Sequence, residues 1–227
     1  MSTIERFSSE THLKIPVSYF FKSAGENRDL VVLLHGFQDT AAAFLKRALE
    51  ERDYPFSILA PNAPFPMPIE KEDGFQEAYS WYFAHYSKKL LLIPPEVSVS
   101  YLHELVTKLG LASHRKVVVG FSQGGYFAPF ASRRLTNVGK IIGVGCGYRP
   151  DDYKGLEVDA VDAIHGDHDP IISIESSKKM YEELRPAIKR GDFLTVPGLK
   201  HAMNDQARKL LLSRIQLAFD QERLAAS

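Results

Sequence analysis

The chain holds one cysteine, Cys146, among 227 residues. A lone thiol excludes an intramolecular disulfide and leaves a cysteine-based structural zinc site without ligands. Neither sign of charge is in excess, since Lys+Arg and Asp+Glu number 28 each and the formal net charge is zero. That balance argues against a globally basic nucleic-acid binder and against an acidic tail. Long apolar runs are missing too. Segments such as LVVLL and LLLI fall far short of the roughly 18–20 residues a membrane-spanning helix needs. The opening MSTIERFSSETHLKI has no apolar stretch behind a basic start, so no secretory signal is visible. The expectation is a cytoplasmic protein with no membrane span and no nucleic-acid partner. Nothing in the sequence addresses oligomeric state.

What remains is ordinary globular composition, 44% hydrophobic and 25% charged. At roughly 150 residues per domain this length fits one large domain covering residues 1–227. Short apolar runs alternate with helical stretches. Strands are expected at 12–21, 30–34, 56–60, 116–120, 138–144, 158–165 and 192–196. Helices are expected at 40–52 with Thr40 as N-cap, 95–110, 123–135, from about 171, and 203–222. In the last, Ala207, Leu211, Ile215 and Phe219 recur every four residues as one apolar stripe. Such alternation implies an α/β fold with a mostly parallel sheet covered on both faces. Residues 61–93 break the rhythm. Seven of the 13 prolines lie between Pro55 and Pro95, and nine of the 25 aromatics between Tyr54 and Tyr86. This reads as a loop-rich excursion with a short strand near 79–84, placed to cap a site.

Residues 116–125 read KVVVGFSQGG. Gly120-Phe121-Ser122-Gln123-Gly124 is a G-x-S-x-G pentapeptide between an apolar strand and a helix. A strand turning sharply into a helix pushes the central hydroxyl out at the sheet's carboxyl edge, above free helix N–H groups. Ser122 is the candidate nucleophile, and a serine hydroxyl needs a base at neutral pH. In hydrolases built on this turn, serine precedes the acid and the acid precedes histidine. His201, in the loop PGLKHA, is the candidate base. Between them, AVDAIHGDHDP supplies Asp169 as the favoured acid and Asp167 as its rival, either of which could instead cap a helix. Backbone donors for an oxyanion are expected from Gln123 and from Phe37 in LLHGFQDT, where Gly36 permits close approach. His35, ahead of the serine, is a structural loop histidine.

LLHGFQDT, PNAPFP, YSWYF, GFSQGG, IHGDHDP and GLKH together resemble the phospholipase/carboxylesterase family of α/β-hydrolases, which includes acyl-protein thioesterases. The matching pieces span residues 33–201. The resemblance implies an α/β-hydrolase fold, Ser122, Asp169 and His201 as catalytic residues, Phe37 and Gln123 as oxyanion donors, and no cofactor or metal. The chain departs from the pattern at Gln38, where the family often has glycine. It departs again at Tyr126, Phe127, Pro129 and Phe130, where small residues are common.

The expected activity is hydrolysis of small-molecule esters or thioesters of small to medium acyl groups through an acyl-serine. Phe65, Trp81, Tyr82 and Phe83 are candidate substrate-binding residues, with core packing as their alternative role. Two other readings compete. One is a metal-dependent hydrolase built on His165, Asp167, His168 and Asp169. The other is a catalytically silent ligand-binding protein on the same fold. Cys146 reads as a buried small hydrophobe.

Overall fold

The structure is a computed structural model that describes residues 15–72, 74–85 and 90–226. The start of the strand expected at 12–21, and the opening residues read for a secretory signal, lie outside them. In chain order the elements begin with β1 (Tyr19–Lys22), β2 (Asp29–Leu34), α1 (Ala41–Ala48) and β3 (Ser57–Pro61). Six short strands follow: β4 (Phe65–Pro66), β5 (Ile69–Lys71), β6 (Gly74–Gln76), β7 (Tyr79–Ser80), β8 (Phe83–His85) and β9 (Leu90–Ile93). Then come α2 (Pro95–Lys108), β10 (Arg115–Phe121), α3 (Gln123–Ser132), β11 (Val138–Val144) and α4 (Pro150–Tyr153). The chain continues with β12 (Ala160–Gly166), α5 (Ile174–Leu184), β13 (Phe193–Val196) and α6 (Asp205–Ala226).

Seven strands form the central sheet in the order β1-β3-β2-β10-β11-β12-β13. β1 runs antiparallel to β3, and every other neighbouring pair is parallel. Strands buried on both faces read as unbroken apolar runs, and β2 shows why. Its Leu30, Val32 and Leu34 face a layer that includes side chains of α2, α3 and α5. Its Val31 and Leu33 face the layer built with α1 and α6. All five are fully buried. The α6 stripe of Ala207, Leu211, Ile215 and Phe219 is buried in that second layer. Its three large members contribute about 1.5–3 kcal/mol each.

Several boundaries differ from the sequence expectation. α1 starts after Thr40, whose side chain accepts from the Ala43 N–H at 3.1 Å, but it ends at Ala48. α3 ends at Ser132, with Pro129 buried inside it. The excursion is more regular than expected, because it forms three two-stranded ribbons, β4–β7, β5–β6 and β8–β9. Strands of two to four residues interrupted by proline carry too little periodicity to be read. α5 begins at Ile174, later than expected. Ser173 caps it, accepting from the Ser176 N–H at 3.1 Å, so the helix does not start near 171. The one-turn helix α4 was not anticipated. Among the described residues no helix is long and apolar enough to cross a membrane.

Candidate active site

β10 ends at Phe121 and α3 starts at Gln123, leaving Ser122 alone at the corner with φ 50° and ψ −115°. A positive φ on a side-chain-bearing residue costs on the order of 1–3 kcal/mol and persists only where the surroundings enforce it. Here the Ser122 N–H donates to the Val144 carbonyl at 2.9 Å. The Ser122 carbonyl accepts from Gly125 at 2.9 Å and from Tyr126 at 3.1 Å. The flanking glycines make the corner sterically feasible. A Cβ on Gly120 would collide with the Gly124 carbonyl, and one on Gly124 with the Leu34 carbonyl. α3 therefore sits closer to β10 and β2 than any larger residue would allow.

Three side chains from three strand-end segments meet at this corner. His201 Nε2 lies 2.9 Å from Ser122 Oγ, and His201 Nδ1 lies 2.8 Å from Asp169 Oδ2. Burial pushes the Asp169 carboxyl up, but the Ile172 N–H, His201 and the Ile171 N–H together hold it below its ordinary range. Both N–H groups donate to Asp169 Oδ1 at 2.9 Å. An ionised carboxylate only accepts, so Nδ1 carries the imidazole proton. Nε2 of the neutral ring is then free to accept from the Ser122 hydroxyl. The Asp167 alternative is not brought to this histidine. Its Oδ1 accepts from the Gly198 N–H at 2.6 Å and pairs with His168 Nδ1 at 2.7 Å.

The loop after β2 lies against the same corner. A Cβ on Gly36 would stand 3.1 Å from the Phe121 ring and 3.6 Å from Ser122 Cβ, so this is where the glycine's small size is needed. Gln38 adopts φ 55°, the left-handed conformation a glycine takes without penalty, and its N–H donates to the Tyr79 carbonyl at 3.1 Å. As the first residue of α3, Gln123 has a backbone N–H with no partner inside the helix. Its buried side chain does a second job that the motif does not announce. Oε1 accepts from the Trp81 N–H at 3.0 Å, and Nε2 donates to the Tyr82 carbonyl at 2.9 Å. Trp81 Nε1 donates in turn to the His35 carbonyl at 2.9 Å. His35 is the structural loop histidine expected. Its Nε2 accepts from the Ala63 N–H at 3.0 Å, so its proton sits on Nδ1, which donates to the Gly36 carbonyl at 2.7 Å. Burial lowers its pKa to about 4.

Ser122 opens onto a cavity of about 540 Å³. Of the four aromatics expected to bind substrate, Tyr82 and Phe83 line it. The other two, Trp81 and Phe65, are not brought to it. Trp81 is fully buried and stacks on Phe127 at 4.8 Å between ring centroids, so it supports the site from below. Phe65 packs 6.0 Å from the Phe83 ring and does not reach the cavity. Phe37 and Gln123 both contribute to the wall. Sequence reasoning missed Tyr126, Arg149, Ile171, Ile172 and Met180, which complete much of it. Arg149 and the isoleucine pair follow the carboxyl ends of β11 and β12, where a parallel sheet presents its ligands. That positional rule was the available signal.

The four side chains of the competing metal reading do not gather at one point: His165 Nε2 comes within 3.6 Å of Asp169 Oδ2, while His168 and Asp167 pair with each other. His165 is fully buried, 6.1 Å from the Phe193 ring, with Nε2 on the Ile172 carbonyl at 3.0 Å. His168 and Asp167 are turned outward as a pair, and Asp169 is turned to His201. Among the described residues, no group of three or more His, Cys, Asp or Glu could hold a metal ion. Cys146 is buried, and burial raises its thiol to about 12.

Residues 19–217 match the family model described as Phospholipase/Carboxylesterase, and the chain belongs to that family. Similar solved structures include acyl-protein thioesterase 2 from Zea mays, with 14% identity, a TM-score of 0.67 and coverage of 88% of this chain and 98% of that one. Esterase PE8 gives 21% identity, a TM-score of 0.71, and coverage of 90% of this chain and 100% of its own. SOBER1 from Arabidopsis thaliana gives 18% identity, a TM-score of 0.64 and coverage of 84% and 99%. These likenesses establish the α/β-hydrolase fold. No curated protein matches at the level of sequence.

Proposed function

We propose that the protein is a serine hydrolase cleaving carboxylic esters or thioesters of small to medium acyl groups through an acyl-serine intermediate. The observation that carries this reading is the hydrogen-bonded chain from Ser122 through His201 to Asp169, opening on the cavity. Membership of the family supports it. Ser122 Oγ attacks the acyl carbonyl while His201 Nε2 takes its proton. The N–H groups of Phe37 and Gln123 stabilise the oxyanion, each by on the order of 3 kcal/mol in the transition state. His201 passes the proton to the departing alcohol or thiol. Water, deprotonated by the same imidazole, then attacks the acyl-serine and releases the acid. A volume of about 540 Å³ lies within the usual range for small-molecule sites and suits a modest acyl group.

The test combines a fluorophosphonate label with a chain-length series of p-nitrophenyl esters and acyl thioesters. The expected result is labelling at Ser122 and a rate that peaks within the series. Ser122→Ala should lose labelling and most turnover while keeping its melting temperature. Near wild-type hydrolysis by that folded variant would overturn the assignment.

A further inference from the structure

Among the residues that line the cavity, Arg149 is the sole charged side chain in an otherwise largely apolar wall. It pairs with Asp152, which is not part of the wall, and a neutral acyl group makes no use of a cation there. Arg149 is also held in place. Its Nε donates to Asp152 Oδ2 at 2.6 Å, and its guanidinium carbon lies 5.5 Å from the centre of the Tyr126 ring, itself part of the wall. Asp152 is held in turn on the same short helix, where its carbonyl accepts from Arg133 at 2.9 Å. Among the described residues, Asp152 is the only hydrogen-bond acceptor of Arg149, and it takes the Nε edge. The two terminal nitrogens are left unused by a side chain that is half exposed. A guanidinium fixed through Nε and by an aromatic face presents a pre-oriented fork, which suits a carboxylate.

We propose that Arg149 makes this a site for esters or thioesters that carry a carboxylate in addition to the bond that is cleaved. This rests on the serine-hydrolase reading and names its substrate class. The carboxylate belongs either to the acyl part, as in a half-ester of a dicarboxylic acid, or to the leaving group. Arg149 binds that charge and takes no part in the chemistry at the carbonyl. It is a specificity residue, and its signature is a ratio between charged and uncharged substrates.

Two matched pairs of probes separate the sources. The acyl pair is the monophenyl ester of adipic acid against its primary-amide counterpart. The leaving-group pair is 4-carboxyphenyl butanoate against 4-carbamoylphenyl butanoate. The wild type should favour the carboxylate in at least one pair, by about tenfold in kcat/KM, as charge-assisted hydrogen bonds allow. Arg149→Met should erase the ratio. Arg149→Lys, which keeps the charge but not the fork, should retain part of it and covers the case in which the methionine variant fails to fold. Calorimetric binding of the same four esters to Ser122→Ala protein, with and without Arg149→Met, reads the preference without turnover. Should wild type cleave no ester, the hydrolase reading fails, while these binding ratios still decide the role of Arg149. Hydrolysis with equal rates and equal affinities in both pairs, or a preference that survives Arg149→Met, would overturn the proposal and leave the hydrolase reading standing.

Discussion

His35 should make the fold sensitive to acid well above the range in which the candidate carboxylate titrates. Burial lowers its pKa from 6.5 to about 4, and the bond to the Gly36 carbonyl only partly opposes that shift. The ring cannot accept a second proton without losing the Ala63 N–H, which donates to Nε2 at 3.0 Å. The folded state thus resists protonation that the unfolded chain accepts. Between pH 6.5 and 4 the unfolded chain binds more protons, so stability falls as pH falls through that window and is flat above it. At pH 5, a folded pKa of about 4 against 6.5 costs about 2 kcal/mol. The measurement is urea unfolding at pH 7 and pH 5 for wild type and His35→Gln. The glutamine variant will be less stable at pH 7, since it breaks the Ala63 contact. Its loss between the two pH values should nonetheless be smaller than that of wild type by about 2 kcal/mol. Equal losses in the two proteins would refute the reasoning, because the remaining titratable groups are common to both.

Other expectations follow from single contacts. Asp169→Asn should lower kcat by on the order of 10³–10⁴, because an amide can enforce the wrong imidazole tautomer, whereas Asp167→Asn, away from His201, should leave the rate within about threefold; steady-state kinetics on one ester checks both. Gly124→Ala drives a methyl into the Leu34 carbonyl and should destabilise by about 3 kcal/mol or more, or prevent folding, as read by denaturant unfolding. Gln38→Gly relieves a left-handed backbone on an exposed residue and should leave stability unchanged or raise it by up to about 1 kcal/mol in the same assay, glycine's greater chain entropy offsetting part of the gain.

The parts of the fold legible in the sequence were those with a dense local signal. β2 and β10 carry continuous apolar runs, Leu30–Leu34 and Val117–Val119, because both faces are buried, and α6 carries a four-residue period because only one face is. The Ser122 corner was legible because glycine is the only residue that fits at 120 and 124, so the steric demand is written into the letters. The ribbons at 65–93 were not, since pairing between strands of two to four residues is set by partners rather than by period. The late start of α5 was hidden for a related reason. Asp169 spends one carboxylate oxygen on the Ile171 and Ile172 N–H groups and the other on His201, so helix capping falls to Ser173. The cavity wall was the least legible part. It is assembled from segments after β2, β7, β10, β11 and β12, and no stretch of sequence shows which side chains of five distant segments share one space.

The excursion looks like a cap in sequence, yet its inner part is built as a wall. Trp81 holds the His35 carbonyl through Nε1, Gln123 holds the Trp81 N–H and the Tyr82 carbonyl, and Ser98 Oγ donates to the Trp81 carbonyl. These partners come from the loop after β2, the first turn of α3 and the first turn of α2. Lifting residues 80–82 would break these four hydrogen bonds, part the Ser80 hydroxyl from the Gln123 amide, expose an indole that is fully buried, and release the loop carrying Phe37. Leaving several buried polar groups unpaired costs about 1–3 kcal/mol each, which is too much for a motion repeated at every turnover. The side of the cavity formed by Tyr82 is therefore fixed at the same time as the candidate oxyanion donors, by the residue that follows the serine. In this chain Gln123 couples the two under the proposed function: its backbone N–H is a candidate oxyanion donor, while its side chain sets the wall beside it.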